Sequence, residues 1–272
     1  MFHTPEPVSL HVEIGAGDIK VHAHDGLTET QVIVDGRDAD EATVEQRGQQ
    51  IVVLAPRKKA GFFSTTGREL SVTVVLPTHS ELSTRTGSAD LVATGRYASG
   101  RIRSGSGEVH VDEFGDETVV ETGSGGIRID AALGDLRVKS GSGDVEVQRL
   151  ARSAGISTGS GDVLLGASEH KAVVKSGSGD VRVNDAHTDV SLSTASGDLS
   201  VGVIRSGAVV AKAVSGDVSV GVLPAIPVWT DISCVSGRVS STLEGAGQPE
   251  PDQDFIEIRA TTVSGDIALV QL

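Results

Sequence analysis

Hydrophobic and polar residues alternate along most of the chain in short stretches that recur with a fixed period. After the acidic residue of each Ser-Gly-Ser-Gly-Asp-Val-like segment, apolar residues occupy the first and third positions, as Val145 and Val147 do after Asp144. A second alternation follows at the tenth and twelfth positions, with Ala154 and Ile156. Alternation with a period of two residues predicts short, half-buried β-strands, so each repeat should contain at least two of them.

The acidic positions define the length of the repeat. Six successive intervals of 18 residues separate the first seven positions, and intervals of 19, 21 and 28 follow. The positions are Asp90, Glu108, Gly126, Asp144, Asp162, Asp180, Asp198, Asp217, Arg238 and Asp266. One such unit cannot bury its apolar face alone, whereas stacked units bury a continuous column. We therefore predict an all-β protein, a single-chain parallel β-solenoid (β-helix) with about 18 residues per turn. The usual chirality of parallel crossovers favours a right-handed coil.

The regularity of the repeat varies along the chain. Regular repeats fill residues 86–237, while residues 1–85 are predicted to form irregular N-terminal turns and a cap, and residues 238–272 irregular C-terminal turns. Terminal repeats of solenoids are usually atypical because they close the column. We therefore expect one continuous solenoid over residues 1–272.

Hydroxyl side chains form two further columns, at 14 and 16 positions after the acidic residue. The first column is Ser104, Thr122, Ser140, Thr158, Ser176 and Thr194, and the second is Ser106, Ser124, Ser142, Ser160, Ser178 and Ser196. By parity with the apolar positions, both columns should face the interior. Buried hydroxyls need partners, which the turning backbone can supply.

Composition and charge narrow the classes of function. Glycine accounts for 34 of 272 residues and aromatic residues for 3%, which suits a coil with glycine corners and a column too narrow for aromatic rings. The net charge of −14 argues against a nucleic-acid partner, because phosphate binding needs a basic face. The sequence contains no run of 18 apolar residues, so it predicts no membrane span. The start of the chain lacks the features of a secretory signal, so a cytoplasmic location is expected.

The repeated aspartates are the constellation that could carry chemistry. Asp144, Asp162, Asp180 and Asp198 should stack on successive turns, where unit charges about 5 Å apart in water repel by just under ~1 kcal/mol. Either backbone N–H groups at the corner or a cation between turns could compensate this repulsion. Calcium-binding β-rolls carry two glycine-rich nonapeptides per turn, whereas this chain has one glycine-rich corner per 18 residues. We therefore expect no metal site, with a calcium-binding ladder as the alternative.

Motifs of several enzyme classes are missing from the sequence. It contains no Gly-x-Gly-x-x-Gly fingerprint, no Walker loop and no His-Glu-x-x-His motif. His22 and His24 share a strand face but lack a third metal ligand nearby. Cys234, the single cysteine, is expected to be a small buried apolar residue. We predict no catalytic residue, no cofactor and no enzyme activity.

A basic and aromatic segment is unusual in so acidic a protein. It contains Arg57, Lys58, Lys59, Phe62 and Phe63. The segment could contact a partner or a membrane surface. The alternative is a solvated hairpin loop whose phenylalanines pack on the column.

The C-terminal end suggests a second surface for association. The chain ends on an apolar stretch from Ile267 to Leu272. An uncapped last turn must lie beneath the loop around Pro249 or meet another subunit. We therefore expect self-association through the C-terminal end, or an unidentified protein partner.

Several segments together resemble a known family. They are Val72 to Pro77, which leads into Leu82 to Leu91, the Ser-Gly-Asp corners, and the closing Thr262 to Ile267. On these the chain resembles the bacterial putative-adhesin family of β-strand-repeat proteins, a family of unknown function. The resemblance implies a solenoid and a surface location and transfers no catalytic residue.

The function predicted from the sequence is therefore a non-enzymatic structural or interaction module. Such an adhesin-like scaffold would bind a protein partner or assemble with itself. The alternative is a β-helical enzyme acting on polysaccharide, or a carbohydrate- or calcium-binding protein. Carboxylates converging in a groove would favour that alternative.

Overall fold

The computed structural model describes residues 1–56, 69–244 and 255–272. Within these ranges the regular structure is β-strand, apart from one 3-10 turn at Ala39–Glu41. No helix in the described part of the chain has the length and apolar character needed to cross a membrane. The strands fall into two compact units, residues 1–134 (unit 1) and residues 135–272 (unit 2). The all-β parallel solenoid is confirmed, while the right-handed coil and the single continuous column remain predictions.

Unit 1 contains twelve strands among its described residues. They are β1 (Phe2–His3), β2 (Ser9–Ile14), β3 (Ala16–His24), β4 (Glu29–Gly36), β5 (Thr43–Arg47), β6 (Gln50–Leu54), β7 (Glu69–Pro77), β8 (Ser80–Thr86), β9 (Asp90–Ser104), β10 (Val109–Phe114), β11 (Thr118–Thr122) and β12 (Ile127–Ala132).

The N-terminal rungs of unit 1, a rung being one coil of the solenoid, do not stack in chain order. The first rung, β2 with β3, lies between β6 with β7 on one side and β8 with β9 on the other, and all of these pairings are parallel. The outer strands β7 and β6 pair in turn with β4 and β5 in antiparallel fashion. Antiparallel strands therefore cover this end of the stack, as a cap must.

Unit 2 contains fourteen strands among its described residues. They are β13 (Leu136–Ser140), β14 (Val145–Leu150), β15 (Ala154–Thr158), β16 (Val163–Ser168), β17 (Ala172–Ser178), β18 (Val181–Ala186), β19 (Val190–Ser196), β20 (Leu199–Ile204), β21 (Gly207–Ser215), β22 (Val218–Val222), β23 (Val228–Ser236), β24 (Val239–Ser241), β25 (Ile256–Ser264) and β26 (Ile267–Gln271).

The 18-residue period of the sequence sets the register in which the strands of unit 2 pair. Val145 on β14 pairs with Val163 on β16, and Ala154 on β15 pairs with Ala172 on β17. Identical positions of successive repeats therefore lie directly above one another. The predicted inward positions are buried in a column of valine, leucine, isoleucine and alanine.

The last rungs of unit 2 are also out of chain order. β25 pairs with both β21 and β23, and β26 pairs with both β22 and β24, so the final strands fill a position between two earlier rungs. The interpretation that the chain's last strand ends the stack is therefore wrong: β23 and β24 form the end rung. At the paired positions β25 places Ile256, Ile258 and Ala260 inside, whereas β23 has Val228, Thr230 and Ile232. Burial between two rungs therefore favours Ile258 of β25 over the more polar Thr230 of β23.

The two hydroxyl columns face opposite ways. The column at position 14 is mostly buried, and Ser140 Oγ donates to the carbonyl of Gly143 at 2.7 Å. The column at position 16 is exposed, for example at Ser142 and Ser160, so the prediction that it faces inward is wrong. Strand alternation ends at the corner, where the glycine at position 17, such as Gly143, takes the interior place.

Glycine is needed at these corners because successive rungs touch there. A Cβ added to Gly216 would overlap the carbonyl oxygen of Gly197 on the rung below, and Gly216 also has a φ of +146°. Both the close approach and the left-handed backbone exclude other residues.

Unit 1 is wide enough for two aromatic rings, so the expectation of a column too narrow for aromatics is wrong there. Tyr97 and Phe114 are fully buried with ring centroids 6.1 Å apart. The Tyr97 hydroxyl donates to the carbonyl of Val21 at 2.9 Å. Gly100 supplies the space, since a Cβ there would collide with the Phe114 ring. Burial, together with the charge of Asp112, raises the pKa of the Tyr97 phenol far above its usual range.

Candidate functional site

The aspartate ladder of unit 2 is held by hydrogen bonds between rungs. In each step the Oδ1 atom of one acidic residue accepts the backbone N–H of the equivalent residue on the next rung, at 2.7 to 2.9 Å. In spatial order the ladder is Asp144, Asp162, Asp180, Asp198, Asp217, Asp266 and Arg238. The carboxylates are exposed, and backbone amides of the neighbouring rung offset their repulsion.

The hydrogen bonds of the ladder also explain why a basic residue, Arg238, can occupy one of its positions. Arg238 lies on the end rung, where its N–H donates to Asp266 and the described residues include no further rung to donate an amide in return. A carboxylate there would have no amide of a further described rung from which to accept a hydrogen bond. The repeated aspartates are therefore register-fixing groups first, and the expectation of no calcium on them stays a prediction.

Two sequence-predicted contact regions lie outside the described residues. The basic and aromatic segment with Arg57, Lys58, Lys59, Phe62 and Phe63 falls between residues 56 and 69. The loop around Pro249 falls between residues 244 and 255. Their predicted contacts stay predictions.

The end rung of unit 2 presents an open strand edge. β23 pairs on one side with β25, and β24 pairs on one side with β26. Among the described residues no strand pairs with their other sides. An unpaired edge exposes a row of N–H and C=O groups that can pair with another chain.

A row of exposed valines runs up to that edge. Val214 on β21, Val263 on β25 and Val235 on β23 follow one another in the strand register and are 56%, 47% and 78% exposed. Their neighbours along each strand, such as Cys234 and Ser236, keep the same register. Water-exposed aliphatic side chains stacked on three adjacent strands form an apolar strip.

Trp229 lies on the same end rung. It is 49% exposed. Arg259 stacks over its ring at 5.6 Å from the centroid, and Glu257 forms an ion pair with Arg259. Cys234 is half-buried, and its Sγ atom donates to the carbonyl of Gly265 at 3.2 Å.

Each unit has a surface groove. In unit 1 the groove is lined in part by Glu81, Arg101 and Glu117. Glu81 lies on β8 and Glu117 lies immediately before β11, and β8 and β11 both pair with β9. The lining of the groove in unit 2 includes three basic residues, Arg137, Lys139 and Lys175, together with Asp135 and small or apolar residues.

The two histidines considered from the sequence are engaged with their surroundings. His22 Nδ1 lies 2.8 Å from the hydroxyl of Thr94, and the rings of His22 and His24 stack with centroids 6.5 Å apart. Neither belongs to a cluster of three metal-ligating side chains among the described residues.

Sequence reasoning missed the one such cluster in the described part of the chain. The ligand atoms of His110 and Asp112 on β10 and Asp130 on β12 lie within 4.8 Å of one another. Asp112 and Asp130 are equivalent residues of successive repeats, and β10 and β12 pair in that register. The 18-residue period combined with strand parity could have found them, because both place these residues on one outward face.

A similar group in unit 2 differs in how its charges are satisfied. Asp185 accepts from Arg205 Nε and Nη2 at 2.7 and 2.8 Å, and His187 Nε2 lies 3.4 Å from Asp185. The hydrogen bond from Arg205 holds the pKa of the Asp185 carboxyl below its usual range.

Comparisons with known proteins identify the family. No curated protein matches the sequence. Three solved structures show a distant likeness. The first is a putative cell adhesion protein from Clostridium sporogenes, with 12% identity, coverage of 100% of this chain and 97% of that chain, and a TM-score of 0.24. The second is a putative adhesin from Bacteroides fragilis, with 13% identity, coverage of 99% of this chain and 94% of that chain, and a TM-score of 0.37. The third is a putative adhesin from Parabacteroides distasonis, with 11% identity, coverage of 98% of this chain and 94% of that chain, and a TM-score of 0.40. At these scores the likeness supports no inference about function. The model of the family described as Toastrack DUF4097 matches residues 9–270. Since that match spans nearly the whole chain, this protein belongs to the Toastrack DUF4097 family.

Proposed function

We propose that this protein is a non-enzymatic interaction module that associates with a second copy of itself through the end rung, β23 with β24. The observation that carries the proposal is the open strand edge of this rung, reached by the exposed row of Val214, Val263 and Val235. Strand addition at such an edge supplies main-chain hydrogen bonds, and the apolar row supplies area to bury.

The composition of one strand in each unit favours this location. On β5, which covers the stack in unit 1, two of five residues are charged, and Arg47 pairs with Glu45 at 2.8 Å. On β23 one of nine residues is charged, Asp231. Charged side chains protect natural edge strands from pairing, and β23 largely lacks them.

A symmetric contact is the arrangement that these ends favour. In unit 1 the parallel strands β6 and β7 pair with β5 and β4, so a head-to-tail contact would meet the charged residues Glu45 and Arg47 of β5. Pairing of one end rung with the same rung of a second copy forms a closed two-fold dimer instead of a filament.

The test is the oligomeric state of the full chain in sedimentation velocity over a range of concentrations. The wild-type chain should show a dimer that grows with concentration. Val235→Lys should remain monomeric, because a charge on the edge opposes pairing. The matched control Val92→Lys replaces an exposed valine of β9, 37% exposed, and should dimerise as the wild type does.

Two results would overturn the proposal. One is a wild-type chain that stays monomeric at its highest soluble concentration. The other is a Val235→Lys chain that dimerises as the wild type does, which would place the contact elsewhere.

A further inference from the structure

We infer that His110, Asp112 and Asp130 form a binding site for a divalent transition-metal ion on the outer face of unit 1. Their ligand atoms already lie within 4.8 Å of one another, and His110 Nε2 lies 3.8 Å from Asp130 Oδ2. Ligands of a tetrahedral zinc ion lie about 3.4 Å apart, as bond lengths of about 2.0–2.2 Å require. Small side-chain rotations would close the difference.

The strand register builds this cluster rigidly. His110 pairs with Arg128 across β10 and β12, and Val111 pairs with Ile129, so Asp112 lies directly beside Asp130. Two outward residues of one strand thus meet two outward residues of the next. Sites on paired strands hold their geometry better than sites on loops.

Two atoms of the cluster are buried without a hydrogen-bond partner. They are His110 Nε2 and Asp130 Oδ1, although the two side chains as a whole are 43% and 45% exposed. Arg128 Nε lies 3.3 Å from Asp130 Oδ1 as an ion pair, outside hydrogen-bond geometry. Buried polar atoms normally have a partner, and an ion that is coordinated by both atoms would supply one.

Charge compensation here differs from that in the aspartate ladder. In the ladder each acidic residue accepts an amide from the next rung, whereas Asp112 Oδ2 accepts the N–H of Gly95 at 2.8 Å from a bulge of β9. That bond anchors Asp112 and leaves its second oxygen to coordinate an ion. Two stacked carboxylates with a shared cation avoid the repulsion of adjacent charges.

The ligand types select the class of ion. One imidazole nitrogen and two carboxylate oxygens suit zinc and neighbouring transition metals, whereas calcium takes oxygen ligands only. Three protein ligands leave at least one coordination position for water. The Arg128 guanidinium competes with the ion for Asp130, so its removal should strengthen metal binding.

The experiment is a calorimetric titration of the chelator-treated full chain with zinc ions alone. The wild-type chain should bind one ion, and His110→Ala and Asp130→Asn should each weaken binding more than about tenfold, the loss that even an outer-shell partner can cause. Arg128→Ser should tighten binding. The matched control is His187→Ala, which removes an imidazole beside Asp185, and it should bind zinc as the wild type does.

The folded state of each variant is checked by its urea midpoint, which substitutions at half-exposed side chains should change little. The inference is overturned if the wild-type chain binds no zinc. It is equally overturned if His110→Ala and Asp130→Asn bind zinc as the wild type does, or if His22→Ala abolishes binding instead.

Discussion

Contact between successive glycine corners makes a quantitative prediction at Gly179. A Cβ at this position would overlap the carbonyl oxygen of Gly161 on the preceding rung. Gly179→Ala must therefore push two rungs apart or distort the corner. Gly155 lies on β15 with no atom within 4 Å of an added Cβ, and Gly155→Ala is the matched control.

The magnitude follows from the contacts at the corner. Overfilling a well-packed site costs about 1–3 kcal/mol. Separation of the rungs also weakens two hydrogen bonds beside Gly179, from Ser178 N to Gly159 O at 2.9 Å and from Asp180 N to Asp162 Oδ1 at 2.8 Å, each of which contributes about 1 kcal/mol. We expect Gly179→Ala to lower the free energy of unfolding by about 1–5 kcal/mol, the upper end applying if both hydrogen bonds are lost.

Urea unfolding followed by far-ultraviolet circular dichroism measures this change. Gly155→Ala should keep or slightly raise the free energy of unfolding, because alanine is favoured over glycine in a strand by about 0.5–1 kcal/mol. A Gly179→Ala chain within about 0.5 kcal/mol of the wild type would refute the reasoning, since only surface positions usually tolerate a change so well.

Two further predictions concern titration and metal. Burial raises the pKa of the single tyrosine, Tyr97. The Tyr97 phenol of the folded chain should therefore stay un-ionised at about pH 11, while that of the urea-unfolded chain ionises near pH 10. Stability should accordingly be unaffected below about pH 10 and fall above it, because the unfolded state releases a proton that the folded state keeps. Equal tyrosinate absorbance midpoints for the two states would contradict this. Calcium should leave the melting temperature unchanged, since backbone amides already compensate the aspartate ladder, and a rise with calcium concentration would show a cation there instead.

Local pattern was enough to predict the strands and their register. Alternation marks which side chains face inward, and the period of 18 residues marks which residues of successive rungs meet, as Val145 and Val163 do. The same 18-residue period predicts that the ladder of aspartates faces outward. It does not predict their hydrogen bonds to the amides of the next rung, because these bonds depend on the exact separation of the rungs.

The candidate sites were predicted less well than the fold. The cluster of His110, Asp112 and Asp130 is assembled from two repeats, and neither repeat contains a metal motif by itself. Chain order predicts that the final segment ends the stack and carries the open edge, whereas the open edge lies on β23.

Residue periodicity over a few positions is therefore enough to predict the kind of strand, the length of each rung and the burial of most side chains. Which rung ends the stack depends on packing between segments that are distant in the chain. β25 lies inside and β23 outside because the rungs compete for two-sided burial, and Ile258 of β25 gains more from it than Thr230, its paired residue on β23. Competition between distant segments for one buried position depends on every segment together, so no local pattern contains it.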